Sequence, residues 1–426
     1  MKISALLLLC LIVTGSWQSR PEMPSLHEQV GIQTDEIFEK LIKIRRDFHS
    51  YPELAGKEVR TQKIIAEYLK DLGMEVDTTI YGHSVVGILH GSKPGRNVAW
   101  RSDMDALASN FPDKVDFSSK VNGVQQGCGH DIHMAIGLGI AEILAKNKES
   151  INGTMYFIFQ PEEETFVGAK EMIAHGLFSK IHPDEIYGLH ITPLPVGQIM
   201  VKPNEMYAYQ KGVRINLKNN LSKEEGADLA KLIYNSLSRF QPNTKPWKIQ
   251  HIIDPESGLI NPNTIYKDYL IMDEQFRIYS EKNELFLETY LYETNQSNLQ
   301  KIIPKIKRLI GETKYKNQLL SVSYTQENPT IMNAKKLTNG AINTLNQIYG
   351  PDLITPDYGQ VPYFNDDFSY FQQEIPGVYF FLGGSNFGKG IIAMNHAPNF
   401  NVDEESIRVG VRSFSSLMLE RLKNKR

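Results

Sequence analysis

The hydrophobic periodicity of this chain changes near residue 207 and changes back near residue 328. In the first stretch the spacing predicts amphipathic helices over 36–51 and 57–72, separated by Pro52 and stopped by Gly73. Strand then alternates with helix: an apolar run at 97–101, a helix over 134–144, strands at 154–159 and 185–189, and a short helix at 171–175 between them. Such alternation argues a central, mostly parallel sheet covered by helices. It resumes from Ala334, with a further apolar strand at 377–382. In between, strand candidates at 213–217, 248–253, 269–278, 285–292 and 321–324 frame two helices, 223–240 and 300–312. That β-α-β-β-β-α-β order is close to a ferredoxin-like unit. The expected fold class is therefore α/β, one sheet domain split over 20–206 and 328–426, with an α+β unit inserted at 207–327.

A length of 426 residues suits that arrangement at roughly 100–200 residues per domain. With 41% hydrophobic residues the chain has enough apolar side chains for a core, which argues against a disordered or fibrous class. Forty-six basic residues against 49 acidic ones leave a net charge of −3, so no basic surplus points to nucleic acid. Lys2 followed by the apolar run 3–13 and the polar stretch 14–19 reads as a secretory signal peptide, 1–19. The run is shorter than the ~20 residues a spanning helix needs. The mature protein is expected to be exported, to the periplasm or beyond, without a membrane span. Cys10 leaves with the leader, and Cys128 then stands alone, with no disulfide partner.

Ligands of open α/β sheets gather beyond the carboxyl ends of the strands. The residues just beyond each predicted strand are therefore informative. The strand at 97 delivers Asp103 and Asp105, and Gly127-Cys128-Gly129-His130-Asp131-Ile132-His133 precedes a helix. The strand at 154 delivers Glu162-Glu163-Glu164, the strand at 185 delivers His190, and His396 comes after a Gly-rich loop. Thiolate, imidazoles and carboxylates on one rim suit zinc or another transition metal. Each piece alone has a plainer meaning: a buried thiol, a solvated acidic face, a structural histidine. The acidic run, however, begins directly after an apolar strand and Pro161, where a solvated face has little reason to start. A Cys128 nucleophile with His130 or His133 as base is a competing reading of the same residues.

The motifs together resemble those of the N-acyl-amino-acid amidohydrolases, the hippurate and auxin-conjugate hydrolases of the aminoacylase/carboxypeptidase clan. His49-Ser50-Tyr51-Pro52-Glu53-Leu54 with Glu58 is similar to the opening motif, and Arg101 to Leu107 to the aspartate motif. Cys128-Gly129-His130-Asp131 with His133 is similar to the hallmark, succeeded by Phe159 to Glu164 and Gly168-Ala169-Lys170. Gly188-Leu189-His190, Asp366 to Tyr370 and His396 to Phe400 complete the series in order. The resemblance implies a zinc-peptidase-like catalytic domain with a lid that also pairs two copies. It implies two divalent ions (Zn, Mn, Co or Ni) bridged by Cys128, with His130, Glu164, His190 and His396 as the other ligands. Glu163 would be the general base, with Asp105 and His133 supporting the ligands. The substrate would be a small molecule, an N-acyl amino acid or a small peptide.

The inserted unit departs from that pattern. Where the family carries a histidine segment, 219–226 reads Asn-Asn-Leu-Ser-Lys-Glu-Glu-Gly, and Glu288-Thr289-Tyr290-Leu291 stands where an arginine strand is usual. Asn263-Thr264-Ile265-Tyr266 is a reduced form of another motif, Gln126 replaces a usual histidine, and Thr165-Phe166-Val167 stands in place of glycines. Two readings compete: an amidohydrolase with a rewritten substrate clamp, or a metal-containing binding protein that has lost turnover. Arg277 and His251 are the candidates for replacement contacts; His49, His175 and His182 read as structural.

Overall fold

The computed structural model describes residues 24–218 and 221–423. The leader 1–19 and the first two residues of the segment 219–226 lie outside the described residues.

Eight strands form the main sheet, in the order Glu75–Asp77, Val85–His90, Asn152–Gln160, Lys93–Asp103, Glu185–Pro195, Gly377–Ser385, Ile199–Met200, Ile354–Thr355. The four central strands, from Asn152–Gln160 to Gly377–Ser385, are mutually parallel, while antiparallel pairs lie toward both edges. The sheet is therefore mixed, with a parallel centre. Strands buried on both faces need apolar residues at both parities. Accordingly Phe157 and Phe159 pack on one face while Tyr156 and Ile158 pack on the other. On the first face lie the helices Leu26–Ser50, His130–Lys146 and Glu405–Lys423. Gly139 lets these three approach closely, since a Cβ there would come within 2.5 Å of Val411 and 2.8 Å of Leu41. The parallel centre aligns the carboxyl ends, with Asp103 beside Gln160 and His190 beside Phe381.

The second sheet comes from residues 209–326. It is wholly antiparallel: Leu319–Gln326 pairs with Tyr209–Lys218, which pairs with Glu284–Glu293. Leu270–Met272 and Arg277–Glu281 both pair with the far side of Glu284–Glu293. Counting those two short strands as one interrupted strand gives the ferredoxin-like order, with helices Lys223–Leu237 and Gln296–Gly311 packed into its core.

Two expected strands differ. Residues 248–253 form a 3-10 turn, Ile249–Ile253, because Pro246 and Pro255, each without an N–H to give a ladder, bracket the segment, and Ile252 packs inward instead. The expected strand 269–278 divides at the polar stretch 273–275, whose Asp273 and Glu274 interrupt the apolar run. Arg277–Glu281 then turns through Lys282 and Asn283, both at positive φ (47° and 64°), into Glu284–Glu293. The seven-element order thus survives with different segments in it. Among the described residues, no helix is long and apolar enough to cross a membrane.

Candidate metal centre

Cys128 and His130 reach the rim of the sheet through a turn that only glycine fits. Gly129 sits at φ 98°, and a Cβ there would lie 2.3 Å from Ile191 Cγ2. The turn leads directly into the helix His130–Lys146. The strand Glu185–Pro195 brings His190 Nε2 to 3.3 Å from Cys128 Sγ. From the other end of the chain, His396 N donates to Gly127 O and Asn395 Nδ2 donates to Cys128 O (2.9 and 2.7 Å). These bonds dock the late loop, so that His396 Nε2 lies 3.2 Å from both Cys128 Sγ and Glu164 Oε1.

Of the clusters of ligand atoms that result, each with its atoms within 4.8 Å of one another, two are Cys128, His130, His190 and Cys128, Glu164, His396. Cys128 Sγ belongs to both. All of these but His396, and Glu164 in part, are buried; His396 is exposed on the open side. His130 Nε2 is buried without a hydrogen-bond partner, 3.7 Å from Glu163 Oε2 and 3.9 Å from Glu164 Oε1. Its other nitrogen, Nδ1, faces the carbonyl of Asp105 at 2.7 Å. An imidazole fixed at one nitrogen and unsatisfied at the other has the geometry of a metal ligand.

The charges agree. Burial draws His130 down, but Asp103 and Asp105 outweigh it and lift it to about 10. Burial, then Glu164 and Glu163, pushes the Cys128 thiol well above its ordinary value. Burial and the neighbouring His133 hold His190 well below its ordinary value, as a neutral imidazole. The pocket thus concentrates negative potential around these donors, and a divalent cation relieves both the orphan nitrogen and the suppressed thiolate. The residues fit a metal.

The acidic run is held amide by amide. Glu58 Oε1 accepts from Glu162 N, while Asp105 Oδ1 and Oδ2 accept from Glu163 N and Glu164 N, all at 3.0 Å. Glu162 itself sits at φ 59°. This turn aims Glu164 at His396 and leaves Glu163 inward, where its carboxylate meets Asp366 and Asp367. His133 has both nitrogens engaged: Nδ1 lies 2.6 Å from Asp103 Oδ1, and Nε2 accepts from Ile191 N at 2.9 Å. It orients Asp103 and the strand that carries His190.

Arg101 is one letter of the aspartate motif in the sequence, yet in the fold it organises the floor of the site. Fully buried, it contacts Gln160 Oε1 (2.8 Å), Asp103 Oδ2 (2.6 Å), Asp366 Oδ1 (3.1 Å) and Asp367 Oδ1 (3.0 Å). A local signal for this role exists: Arg101 ends an otherwise apolar run, where an arginine requires partners. Of the other histidines, His49 is buried between Asp131 and Asp113, and His175 and His182 are exposed. Arg277 lies at the surface, stacked over Tyr279 and 3.7 Å from Glu288. His251 is in the 3-10 turn, and its neighbour Ile252 lines a small cavity beside His190.

The model of peptidase family M20/M25/M40 matches residues 99–420. Thermostable carboxypeptidase 1 of Saccharolobus solfataricus is 33% identical over 93% of this chain and 98% of its own. An N-acetyldiaminopimelate deacetylase of Oenococcus oeni is 29% identical over 90% and 98%. The crystal structure of Bacillus subtilis YXEP, described as a dinuclear metal-binding peptidase, superposes with a TM-score of 0.73 at 24% identity, covering 91% of this chain and 99% of that one.

Proposed function

The chain belongs to peptidase family M20/M25/M40, and from that premise we propose that it hydrolyses the amide of an N-acyl amino acid or small peptide at a site built for two divalent ions. The observation that carries the reading is the sharing of Cys128 Sγ by two ligand clusters with Glu163 alongside. Cys128, His130 and His190 would hold one ion, and Cys128, Glu164 and His396 the other. Bound there, the ions supply Lewis acidity toward water and the scissile carbonyl.

The rest is done by the chain. Burial, then Asp366 and Glu164, push Glu163 well above the usual carboxylate range, so that once ionised it is a strong acceptor for a proton. As base it takes the proton of the attacking water while the O–C bond forms. It then delivers that proton to the nitrogen as the C–N bond breaks. Asp105 fixes the amides of Glu163 and Glu164, so base and ligand keep their separation. The exposed side of His396 opens on a cavity of about 180 Å³ lined by Leu107, Phe111, Gln126 and Phe400, which offers access for a small substrate. The names of the two curated relatives support an amide with an amino acid on one side.

Glu163→Gln tests the assignment. Metal content stays at the wild-type value while turnover falls by about 10²–10⁴-fold, the usual worth of a positioned base; an active Glu163→Gln enzyme refutes the role. Export and pairing through the inserted unit belong to the same proposal. Export rests on the leader and is checked by the mass of the mature N-terminus. Pairing is supported by the edge strand Leu319–Gln326, with Leu320 exposed, and is checked by light scattering.

A further inference from the structure

Tyr207 lies where the main domain passes into the inserted unit. Its backbone is pinned on both sides: it bridges Val361, and its carbonyl accepts from Thr330 Oγ1 at 3.1 Å. The ring packs on Phe381, centroids 5.4 Å apart, and only 4% of the residue is exposed. Buried tyrosines ordinarily find a partner for the hydroxyl. The fully buried Tyr187, Tyr266, Tyr269 and Tyr379 all have one, whereas the slightly more exposed Tyr156 and Tyr292 do not. Among the described residues the Tyr207 hydroxyl has none, and it is not sealed in the core.

Instead the residue lines a cavity of about 30 Å³ shared with His190, Thr192 and Asn395, otherwise walled by apolar side chains such as Ile252, Leu259 and Phe364. That space holds a water or a group of the size of a carbonyl. The cavity touches the ligand cluster through His190. Burial first, then Asp366, Glu163 and Cys128, push the phenol well above its ordinary range, so it stays a donor. The inserted unit holds one histidine, His251, outside the lining of this cavity, and its Arg277 is at the surface.

We propose that the Tyr207 hydroxyl is a catalytic hydrogen-bond donor, aimed at the carbonyl oxygen of the substrate as it becomes an oxyanion. This rests on the amidohydrolase reading above. As the water oxygen bonds to the carbonyl carbon, the π pair moves onto the carbonyl oxygen. Tyr207 donates a hydrogen bond to it without giving up its proton, and the pair returns when the C–N bond breaks. The apolar walls restrict the adjoining group to one of small size.

The test is Tyr207→Phe in the metal-loaded full chain, which keeps the ring against Phe381. Losing one oxyanion donor costs about 10²–10³ in kcat. The expected result is a fall of at least tenfold in kcat on the best substrate of an N-acyl amino acid panel. KM stays within about threefold, with metal content and melting temperature at wild-type values. Binding of the phosphinate isostere of N-acetylalanine, a tetrahedral mimic, weakens at least tenfold. Unchanged kcat in Tyr207→Phe, with Glu163→Gln inactive, overturns this proposal and leaves the amidohydrolase reading standing. A wild-type protein that is inert on the panel overturns that reading, and equal phosphinate affinity in Tyr207→Phe then overturns this one too. A parallel loss of melting temperature or metal likewise overturns it in favour of a structural role.

Discussion

Replacing Arg101 by Met isolates the electrostatics of the floor beneath the site. Met keeps most of the volume but removes the guanidinium facing Asp103, Asp366 and Asp367, all fully buried. Breaking a buried pair by removing one partner costs about 3–5 kcal/mol, since the charge left behind is uncompensated. For a cooperative unit of about 300 residues, ~2.1 cal/mol/K per residue gives an unfolding entropy of about 0.6 kcal/mol/K. The expected fall in melting temperature is then about 5–8 °C. The loss has a pH signature. Burial, outweighing Arg101, already raises Asp366 above its ordinary value and Asp367 to about 8. An acid raised in the folded state costs stability as pH climbs from its unfolded value, about 3.9, through its folded one. Removing Arg101 raises both acids further and widens that window. Arg101→Met is therefore closest to wild type near pH 5 and furthest from it at about pH 8 to 9. The assay is thermal unfolding of chelated protein at fixed scan rate across that range, so that ion binding does not mask the difference. An unchanged melting temperature at pH 8, or a deficit larger at pH 5 than at pH 8, refutes the reasoning.

Two further substitutions probe the surroundings. Asp105→Asn turns one acceptor into a donor facing the amide of Glu163 or Glu164, losing a charge-assisted bond worth about 1.5–3 kcal/mol. Its kcat should drop at least tenfold, read by steady-state kinetics alongside metal content, and wild-type kcat would show that the turn holds itself. Arg277→Ala should leave KM within about twofold and stability within ~0.5 kcal/mol, because the side chain is 75% exposed. A larger rise in KM would place this arginine in substrate binding after all.

The main sheet and the rim of chemistry are legible in the sequence because both are written locally. Apolar strands such as 154–159 end in the residues they deliver, and Gly129 announces the tight turn between Cys128 and His130. The inserted sheet is legible in outline only. Ile249, Ile252 and Ile253 have strand composition, and the prolines on either side decide against a ladder. The acidic run shows the limit from the other direction: adjacent glutamates look alike in sequence. Only the amide bonds to Glu58 and Asp105 separate Glu164, turned toward His396, from Glu163, turned inward. Tyr207 has no local signal, since a tyrosine between strands ordinarily means core. Its distinction arises from the tertiary cavity it shares with His190.

Cys128 Sγ, common to two clusters of ligand atoms and the atom that would bridge two ions, is the centre of the proposed chemistry. The direct measurement is metal stoichiometry by elemental analysis, with binding affinities from titration of chelator-stripped protein, for wild type and Cys128→Ala. The wild-type chain should bind two divalent ions, and Cys128→Ala should lose affinity for both together while remaining folded. Retention of two ions at wild-type affinity, or of one while only the other is lost, would contradict the shared thiolate.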